Sequence, residues 1–166
     1  MPLSALTAIS PLDGRYAAQV DALRGFFSEF GLIRYRVRIE IEWLIALAGQ
    51  ASLGIGPFSN ESVTFLRELA AKFAEADGER VKAIEAQTNH DVKAIEYWLK
   101  ERAASNAQIM AASEFIHFAC TSEDINNLSY SLALAECRRQ VLLPRLDEVI
   151  EALRSLAHAQ AATPML

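Results

Sequence analysis

The chain has 166 residues, of which 52% are hydrophobic and 22% are charged, a balance typical of a folded globular protein and not of a disordered one. Its formal net charge of −5 argues against a general nucleic-acid binder or a protein of anionic membranes, because such proteins concentrate Lys and Arg. Two cysteines without metal-ligand or redox spacing, and no apolar run long enough to cross a membrane, predict a cytoplasmic protein without disulfides or membrane spans.

The first 16 residues have the composition of a loop. Ser10-Pro11 and Asp13-Gly14 both favour turns, because proline restricts the residue before it and Asp-Gly fits a tight turn. A short helix is predicted over residues 17–23, with breaks near Gly25 and Gly31.

Two periodicities compete over residues 32–48. Apolar and charged residues alternate there as in a strand, but a helical stripe also fits, formed by Ile33, Val37, Ile41, Leu44 and Ala48. Arg36 with Glu40, and Arg38 with Glu42, would make ion pairs four residues apart on a helix. Since the segment is longer than a usual strand, we predict a helix.

Three more helices are predicted before residue 103. Ser59 or Asn60 can cap a helix over residues 61–74. A second helix should begin near residue 77, and a third should cover residues 92–102, where apolar residues again follow helical spacing.

The last third continues with helical apolar spacing from Leu128 to Leu156, interrupted by Pro144. Because proline breaks the helical hydrogen-bond ladder, we expect one long helix or two collinear helices with a kink near residues 141–143. A helix of this length is typical of a bundle, in which its apolar stripe needs partner helices. The final residues lack helix-stop signals and suggest a truncation. The whole pattern predicts an all-α fold.

Residues 121–127 are the most informative segment, because all but one of their side chains are polar although apolar segments that read as helix lie on both sides. Thr121 or Ser122 could cap a helix, with Glu123 and Asp124 facing the positive end of its dipole. The alternative is a binding site, since a buried polar group without a partner costs about 1–3 kcal/mol and packing alone would not select it. Both interpretations stay open on these residues alone.

Residues 88–91 place an amide, an imidazole and a carboxylate at a predicted helix start, where free backbone N–H groups favour anions. His90 is the strongest candidate, because an imidazole can donate to an anion or transfer a proton near neutral pH. The structural alternative is that Thr88 or Asn89 caps the helix, that Asp91 complements its dipole and that His90 is merely exposed.

Arg15 and Tyr16 follow a turn, and the guanidinium could bind a phosphate or carboxylate or form an ordinary surface ion pair. His117 is interpreted as a satisfied core or interface histidine and His158 as a solvent-facing one. No glycine-rich nucleotide loop, zinc-ligand spacing or nucleophile elbow is found, so kinases and hydrolases lack support.

Residues 9–16, 88–97 and 114–127 together resemble, in order and spacing, the long bacterial type of the adenylosuccinate lyase family, which belongs to the fumarase/aspartase superfamily. The resemblance runs from about Leu3 to the last residue. It implies an N-terminal helical domain over residues 1–120 and, over residues 121–166, the truncated start of the central helical bundle.

The resemblance also implies an activity. Members of the family eliminate fumarate from adenylosuccinate, giving AMP, and from the succinylated aminoimidazole carboxamide ribotide in purine biosynthesis. They do so as cytoplasmic homotetramers without a metal or organic cofactor. By position, seven residues should bind the substrate: Arg15 and Tyr16 at the nucleotide, foremost its phosphate, Asn89, His90 and Asp91 along the substrate site, and Thr121 and Ser122 at a succinyl carboxylate.

The chain departs from the family pattern in ending before the histidine that serves as general acid and before the serine loop that supplies the base. We therefore expect no catalytic residue within these 166 residues and no activity of this piece alone. Two alternatives remain, a helical interaction module and another superfamily lyase such as argininosuccinate lyase. The combination of residues 13–16 with residues 88–91 favours the purine enzyme.

Overall fold

A computed structural model describes residues 4–164. These residues form helices and turns and no β-strand, which confirms the all-α prediction. They divide into a central unit, residues 27–133, and a terminal unit, residues 4–26 and 134–164. The domain boundary predicted at residue 120 concerns a longer protein and stays a prediction.

The helices are α1 (Arg24–Phe27), α2 (Glu29–Ala48), α3 (Asn60–Ala71), α4 (Glu75–Thr88), α5 (Asp91–Ala103), α6 (Ala107–Ala111), α7 (Ser122–Cys137) and α8 (Leu143–Ala159). Short 3₁₀ turns lie at Asp21–Leu23, Ala51–Leu53 and Ser113–Phe115, and a π-helical turn lies at Arg138–Leu142. Among the described residues, no helix is both long enough and apolar enough to cross a membrane.

Helix α2 runs through the core of the central unit and contacts α3, α4 and α5. Every residue of the predicted stripe is buried: Ile33, Val37, Ile41, Leu44 and Ala48. The helix prediction is thus confirmed. Tyr35, Arg36 and Glu40 are buried as well, so α2 is covered on more than one side. This wide burial explains why its sequence also resembled an alternating strand.

The start of α2 differs from the prediction. Ser28 Oγ accepts a hydrogen bond from Gly31 N–H at 3.1 Å and so caps the helix. The breaks predicted near Gly25 and Gly31 are wrong, because both glycines lie inside helices and the break falls at Ser28. Of the helix predicted over residues 17–23, only the 3₁₀ turn Asp21–Leu23 is helical.

The next helices agree with the prediction to within a few residues. Ser59 Oγ accepts from Ser62 N–H at 3.2 Å, which confirms Ser59 as the cap of α3. Phe73 follows this helix, stacks on Phe30 at a centroid distance of 5.7 Å and meets Trp98 edge-on at 5.1 Å. These aromatic contacts tie α2, the segment after α3 and α5 into one core.

Residues 116–119, in the apolar segment before residue 121 that was expected to be helical, form a turn instead. His117 and Ala119 have left-handed φ angles of 62° and 60°, which residues with a Cβ rarely adopt. Trp43 Nε1 of α2 donates to the Phe118 carbonyl at 2.8 Å. Contacts from a distant helix therefore help to hold this turn, and local sequence did not reveal it.

The terminal unit contains α8 and the π-helical turn before it. That turn immediately precedes Leu143 and Pro144, so the regular helix is interrupted close to the predicted kink. A π-helical turn is a recognised way of accommodating such a break. Five large apolar side chains of α8 expose at least half of their surface: Leu146, Val149, Ile150, Leu153 and Leu156.

The N-terminal segment of the same unit consists of turns and bends over residues 5–20. This confirms the loop predicted up to residue 16, whereas residues 17–20, predicted to be helical, are turns as well. Gly14 is buried there, and a Cβ atom at this position would lie 2.8 Å from the Ala5 carbonyl oxygen. This close approach of the backbone requires a glycine.

Candidate functional site

The junction of α4 and α5 presents the first two candidate residues. Asn89 ends α4 in the left-handed conformation, with a φ of 50°. His90 is the cap of α5, because its Nδ1 accepts a hydrogen bond from Lys93 N–H at 3.1 Å. The prediction that Thr88 or Asn89 caps this helix is therefore wrong. Since Nδ1 is an acceptor, the neutral ring carries its proton on Nε2, which stays available as a donor.

Asp91 is held in place by two partners. Its Oδ1 accepts from Val92 N–H at 2.9 Å, and its Oδ2 lies 2.8 Å from Arg36 Nη2. Partial burial opposes ionisation, but the Val92 N–H and the Arg36 guanidinium outweigh it and lower the pKa of Asp91. The carboxylate is thus ionised at neutral pH and oriented by the arginine.

Arg36 joins two of the three sequence motifs. Its Nε donates to Asn126 Oδ1 at 2.8 Å, and Asn126 Nδ2 donates to Glu123 Oε1 at 3.1 Å. The Arg36 side chain is only 5% exposed. One planar guanidinium thus links the start of α5 to the first turns of α7.

The sequence did not identify Arg36 as part of the site, because its spacing suggested a pair with Glu40. That interpretation is wrong. Arg36 binds Asp91 and Asn126, whereas Glu40 contacts His117. The only signal in the sequence was a row of three arginines in a segment that must be mostly buried.

Thr121 directly precedes α7 and exchanges hydrogen bonds with Asp124. Its N–H and its hydroxyl donate to Asp124 Oδ2 at 2.7 and 2.8 Å, and Asp124 N–H donates back to Thr121 Oγ1 at 3.4 Å. This is a reciprocal cap. The Thr121 N–H, followed by its hydroxyl, lowers the pKa of Asp124. Ser122 follows in the first turn of α7.

A cavity of about 510 Å³ lies beside the α4–α5 junction, within the size range of small-molecule sites. Its lining consists of Glu29, Leu32, Arg36, Lys82, Glu85, Ala86, Asn89, His90 and Asp91. Lys82 pairs with Glu29 at 3.2 Å and with Glu85 at 2.7 Å, while Arg36 pairs with Asp91. Both cations of the lining are thus neutralised, and the donors suited to a ligand are the Asn89 amide and His90 Nε2.

Arg15 and Tyr16 belong to the terminal unit and are described there alone. The Arg15 guanidinium lies 4.6 Å from the centre of the Tyr16 ring, a cation–π contact, and Tyr16 N–H donates to the Pro11 carbonyl at 3.0 Å. The structure thus gives the two side chains a common position at the end of the turns. Their predicted contact with a nucleotide stays a prediction.

Cys120 and Cys137 are free thiols, and burial is the main cause that raises the pKa of both. Over residues 4–164 no group of three or more His, Cys, Asp or Glu side chains is arranged to hold a metal ion.

The sequence was compared with known families and proteins. The model of a family described as "Lyase" matches residues 14–166. The chain belongs to this lyase family. It is 54% identical to the adenylosuccinate lyase of Vibrio cholerae over 167 residues, which cover all of this chain and 37% of that relative. The adenylosuccinate lyase of Haemophilus influenzae is 50% identical, again over the whole chain and 37% of the relative.

The adenylosuccinate lyase of Escherichia coli strain K12 is 49% identical over 99% of this chain and 39% of its own length. The lyase-family chain therefore spans less than two fifths of these relatives. The resemblance drawn from the three motifs is confirmed by these matches.

Proposed function

We propose that this chain is the N-terminal part of an adenylosuccinate lyase, an enzyme that eliminates fumarate from adenylosuccinate to give AMP, and from the succinylated aminoimidazole carboxamide ribotide. The observation that carries the proposal is the link through Arg36, which brings Asp91 of one motif to Asn126 of another. The names and the 49–54% identity of the relatives supply the reaction.

The chemistry of such an elimination fits the side chains that the link brings together. Removal of a proton next to a carboxylate develops negative charge on that carboxylate, which needs hydrogen-bond donors. Ser122 lies in the first turn of α7, where backbone N–H groups favour an anion. No hydrogen bond of the Ser122 hydroxyl to the described residues is found, so the hydroxyl can donate without losing a partner.

Thr121 differs from Ser122 in this respect. Its hydroxyl and its N–H both donate to Asp124, so it must exchange that carboxylate for the substrate before it can bind a succinyl group. Asn89 and His90 line the cavity with donors, and Asp91 fixes Arg36. The family resemblance assigns the phosphate to Arg15 and Tyr16, and the paired state of Lys82 beside the cavity agrees with that assignment.

The acid and the base are expected outside these 166 residues, and we infer that this chain alone does not catalyse the elimination. We further propose a cytoplasmic homotetramer, assembled through the helical bundle, whose neighbouring subunits complete each site. Support comes from the exposed apolar side chains of α8, which need partners, and from the two free thiols.

The test is turnover by the full-length protein that contains this chain. Adenylosuccinate cleavage, followed by absorbance, should occur with the full-length protein and not with residues 1–166. Ser122→Ala should lower kcat/KM about a hundredfold, as expected for the loss of one donor to a developing oxyanion. Cleavage of argininosuccinate but not of adenylosuccinate would reject the proposal.

A further inference from the structure

Glu40 is a fully buried acid that the site described above does not use. It lies on α2 with none of its surface exposed, and its Oε1 is 2.6 Å from Nδ1 of His117. Its Oε2 is also buried and has no hydrogen-bond partner among the described residues. Burying a carboxylate costs free energy unless the carboxylate is paired or neutralised. The contact with His117 therefore determines the protonation state of Glu40.

Burial opposes an additional negative charge on this pair more than the neighbouring charges do. Burial is the main cause that raises the pKa of Glu40; the His117 hydrogen bond counteracts it, and the charge of Glu96 on α5 raises the pKa again. Burial raises the pKa of Cys120 too, and the charges of Glu40 and Asp124 add to that effect. A pair of Glu40 and His117 that is neutral overall therefore suits this environment better than a negative one.

A neutral pair can take two forms. In one, the Glu40 carboxylate accepts from an imidazolium; in the other, the Glu40 carboxylic acid donates to a neutral imidazole. In both forms one proton lies between Oε1 and Nδ1, and Nε2 of His117 carries a hydrogen. Only the negative pair would leave Nε2 without one.

The backbone of His117 is held in one conformation, as its side chain is. Its φ of 62° is sparsely populated for a residue with a Cβ, and such conformations persist only where the surroundings impose them. Two side chains of α2, Glu40 and Trp43, bind this turn, through His117 Nδ1 and the Phe118 carbonyl. The pair meets solvent only through the histidine, whose side chain is 22% exposed.

His117 also lies within electrostatic reach of the start of α7. The hydrogen bonds of Thr121 lower the pKa of Asp124 most, and the charge of His117 lowers it further. His117 also belongs to the turn that leads into α7, since Cys120 N–H donates to the His117 carbonyl at 3.4 Å. A donor on the ring would thus belong to the segment next to the residues proposed to bind a carboxylate.

We propose that Glu40 is a positioning residue that shares one proton with His117, and so fixes the ring and keeps Nε2 as a hydrogen-bond donor near the start of α7. The proposal rests on the proposed function only for the identity of the anion that this donor would meet. The proton sharing itself is a property of the pair.

The test is nuclear magnetic resonance of the chain with ¹⁵N-labelled histidine at neutral pH. The three histidines are assigned with His90→Gln and His158→Gln variants. The unchanged chain should show a protonated Nε2 for His117 and a low-field proton resonance from the short bond at Nδ1. Glu40→Gln keeps the size of the side chain but removes the shared proton, so the low-field resonance should disappear. Glu40→Leu should, in addition, leave the ring as a mixture of both neutral tautomers.

Glu42→Gln is the matched control, because Glu42 lies on the same helix and pairs with Arg67 at 2.8 Å. It should leave the His117 signals unchanged. If Glu40→Leu does not fold, the comparison of Glu40→Gln with Glu42→Gln tests the proposed proton sharing by itself. An unprotonated Nε2 in the unchanged chain, or an unaltered His117 spectrum in Glu40→Gln, would overturn the proposal. Neither result depends on lyase turnover, so failure here is distinct from failure of the proposed function.

Discussion

The buried Arg36 side chain binds two acceptors on different helices, so its removal should lower the free energy of unfolding. Arg36→Met leaves the Asp91 carboxylate and the Asn126 amide without their partner. Breaking a buried pair costs about 3–5 kcal/mol when the remaining charge stays buried, but the Asp91 side chain is 43% exposed and can be hydrated. We expect the free energy of unfolding to fall by about 1–3 kcal/mol, measured by urea denaturation.

Arg67→Met is the control for that experiment. Arg67 binds Glu42 with two hydrogen bonds of 2.8 and 2.9 Å, but both side chains are exposed. Exposed pairs contribute only about 0–1 kcal/mol, so this variant should be nearly as stable as the unchanged chain. Equal losses in the two variants would mean that the link through Arg36 adds nothing beyond a surface ion pair.

The lowered pKa of Asp91 leads to a prediction of how the stability of the fold depends on pH. Its pKa is lowered in the folded chain, so its ionised form stabilises the fold above the unfolded pKa of about 3.9 and this contribution disappears as the pH falls through the folded value. Asp91→Asn should therefore be less stable than the unchanged chain at neutral pH, and the difference should shrink below about pH 4. Urea midpoints at neutral and acidic pH measure this. A difference that is the same at both would contradict it.

At the level of single residues, sequence reasoning found the motifs but not the residues that join them. Asn89, His90 and Asp91 were found because three kinds of polar group share one helix start. Arg36 and Glu40 were missed because rules for neighbours on a helix reach only four positions. Their partners lie far away in the sequence, 90 positions for Arg36 and Asn126 and 77 for Glu40 and His117.

The start of α7 depends on Thr121, whose hydroxyl bonds with Asp124 in both directions. Thr121→Val keeps the shape but removes these bonds, and losing a cap costs about 1 kcal/mol. Thr121→Ser should restore most of that stability. The free energy of unfolding, from urea denaturation, measures both. Thr64→Val, on the exposed surface of α3, is the control and should change it by less than about 0.5 kcal/mol. Equal effects at both threonines would argue against the cap.

The turns before α1 depend on Gly14. Gly14→Ala places a Cβ atom against the Ala5 carbonyl oxygen, a backbone atom that cannot move aside alone. Loosening of these turns by about 1 kcal/mol would speed trypsin cleavage after Arg15 about fivefold. Gly25→Ala is the control, because nothing lies within 4 Å of a Cβ atom there. Unchanged cleavage in Gly14→Ala would show that the close approach does not hold this segment.

At the level of elements, periodicity predicted the long helices because burial repeats with the helical period. It failed at residues 116–119, where apolar residues suggested a helix and no glycine marked the left-handed positions of His117 and Ala119. The interruption before α8 could be predicted, since Pro144 has a purely local effect. The short helix α6 was missed because its cap, Asn106, stands outside any long apolar pattern.

At the level of the whole molecule, the candidate site has donors and paired charges but no acid and base assigned to an elimination. The cations beside the cavity are neutralised by Glu29, Glu85 and Asp91, so the phosphate of the proposed substrate would need a cation from another part of the protein. The chain spans only 37–39% of its relatives' length. Both facts agree with the proposal that further segments and neighbouring subunits complete the site.

Helix α8 predicts self-association of this chain. Five of its large apolar side chains are at least half exposed, and a continuous apolar face in water favours contact with another copy. Leu153→Glu places a charge in that face and should shift the chain towards monomer, measured by light scattering over a range of concentrations. Ser155→Glu introduces the same charge at an exposed polar position of the same helix and should not. A monomer at high concentration for the unchanged chain, or equal effects of the two substitutions, would reject α8 as the association surface and remove a main support for the proposed tetramer.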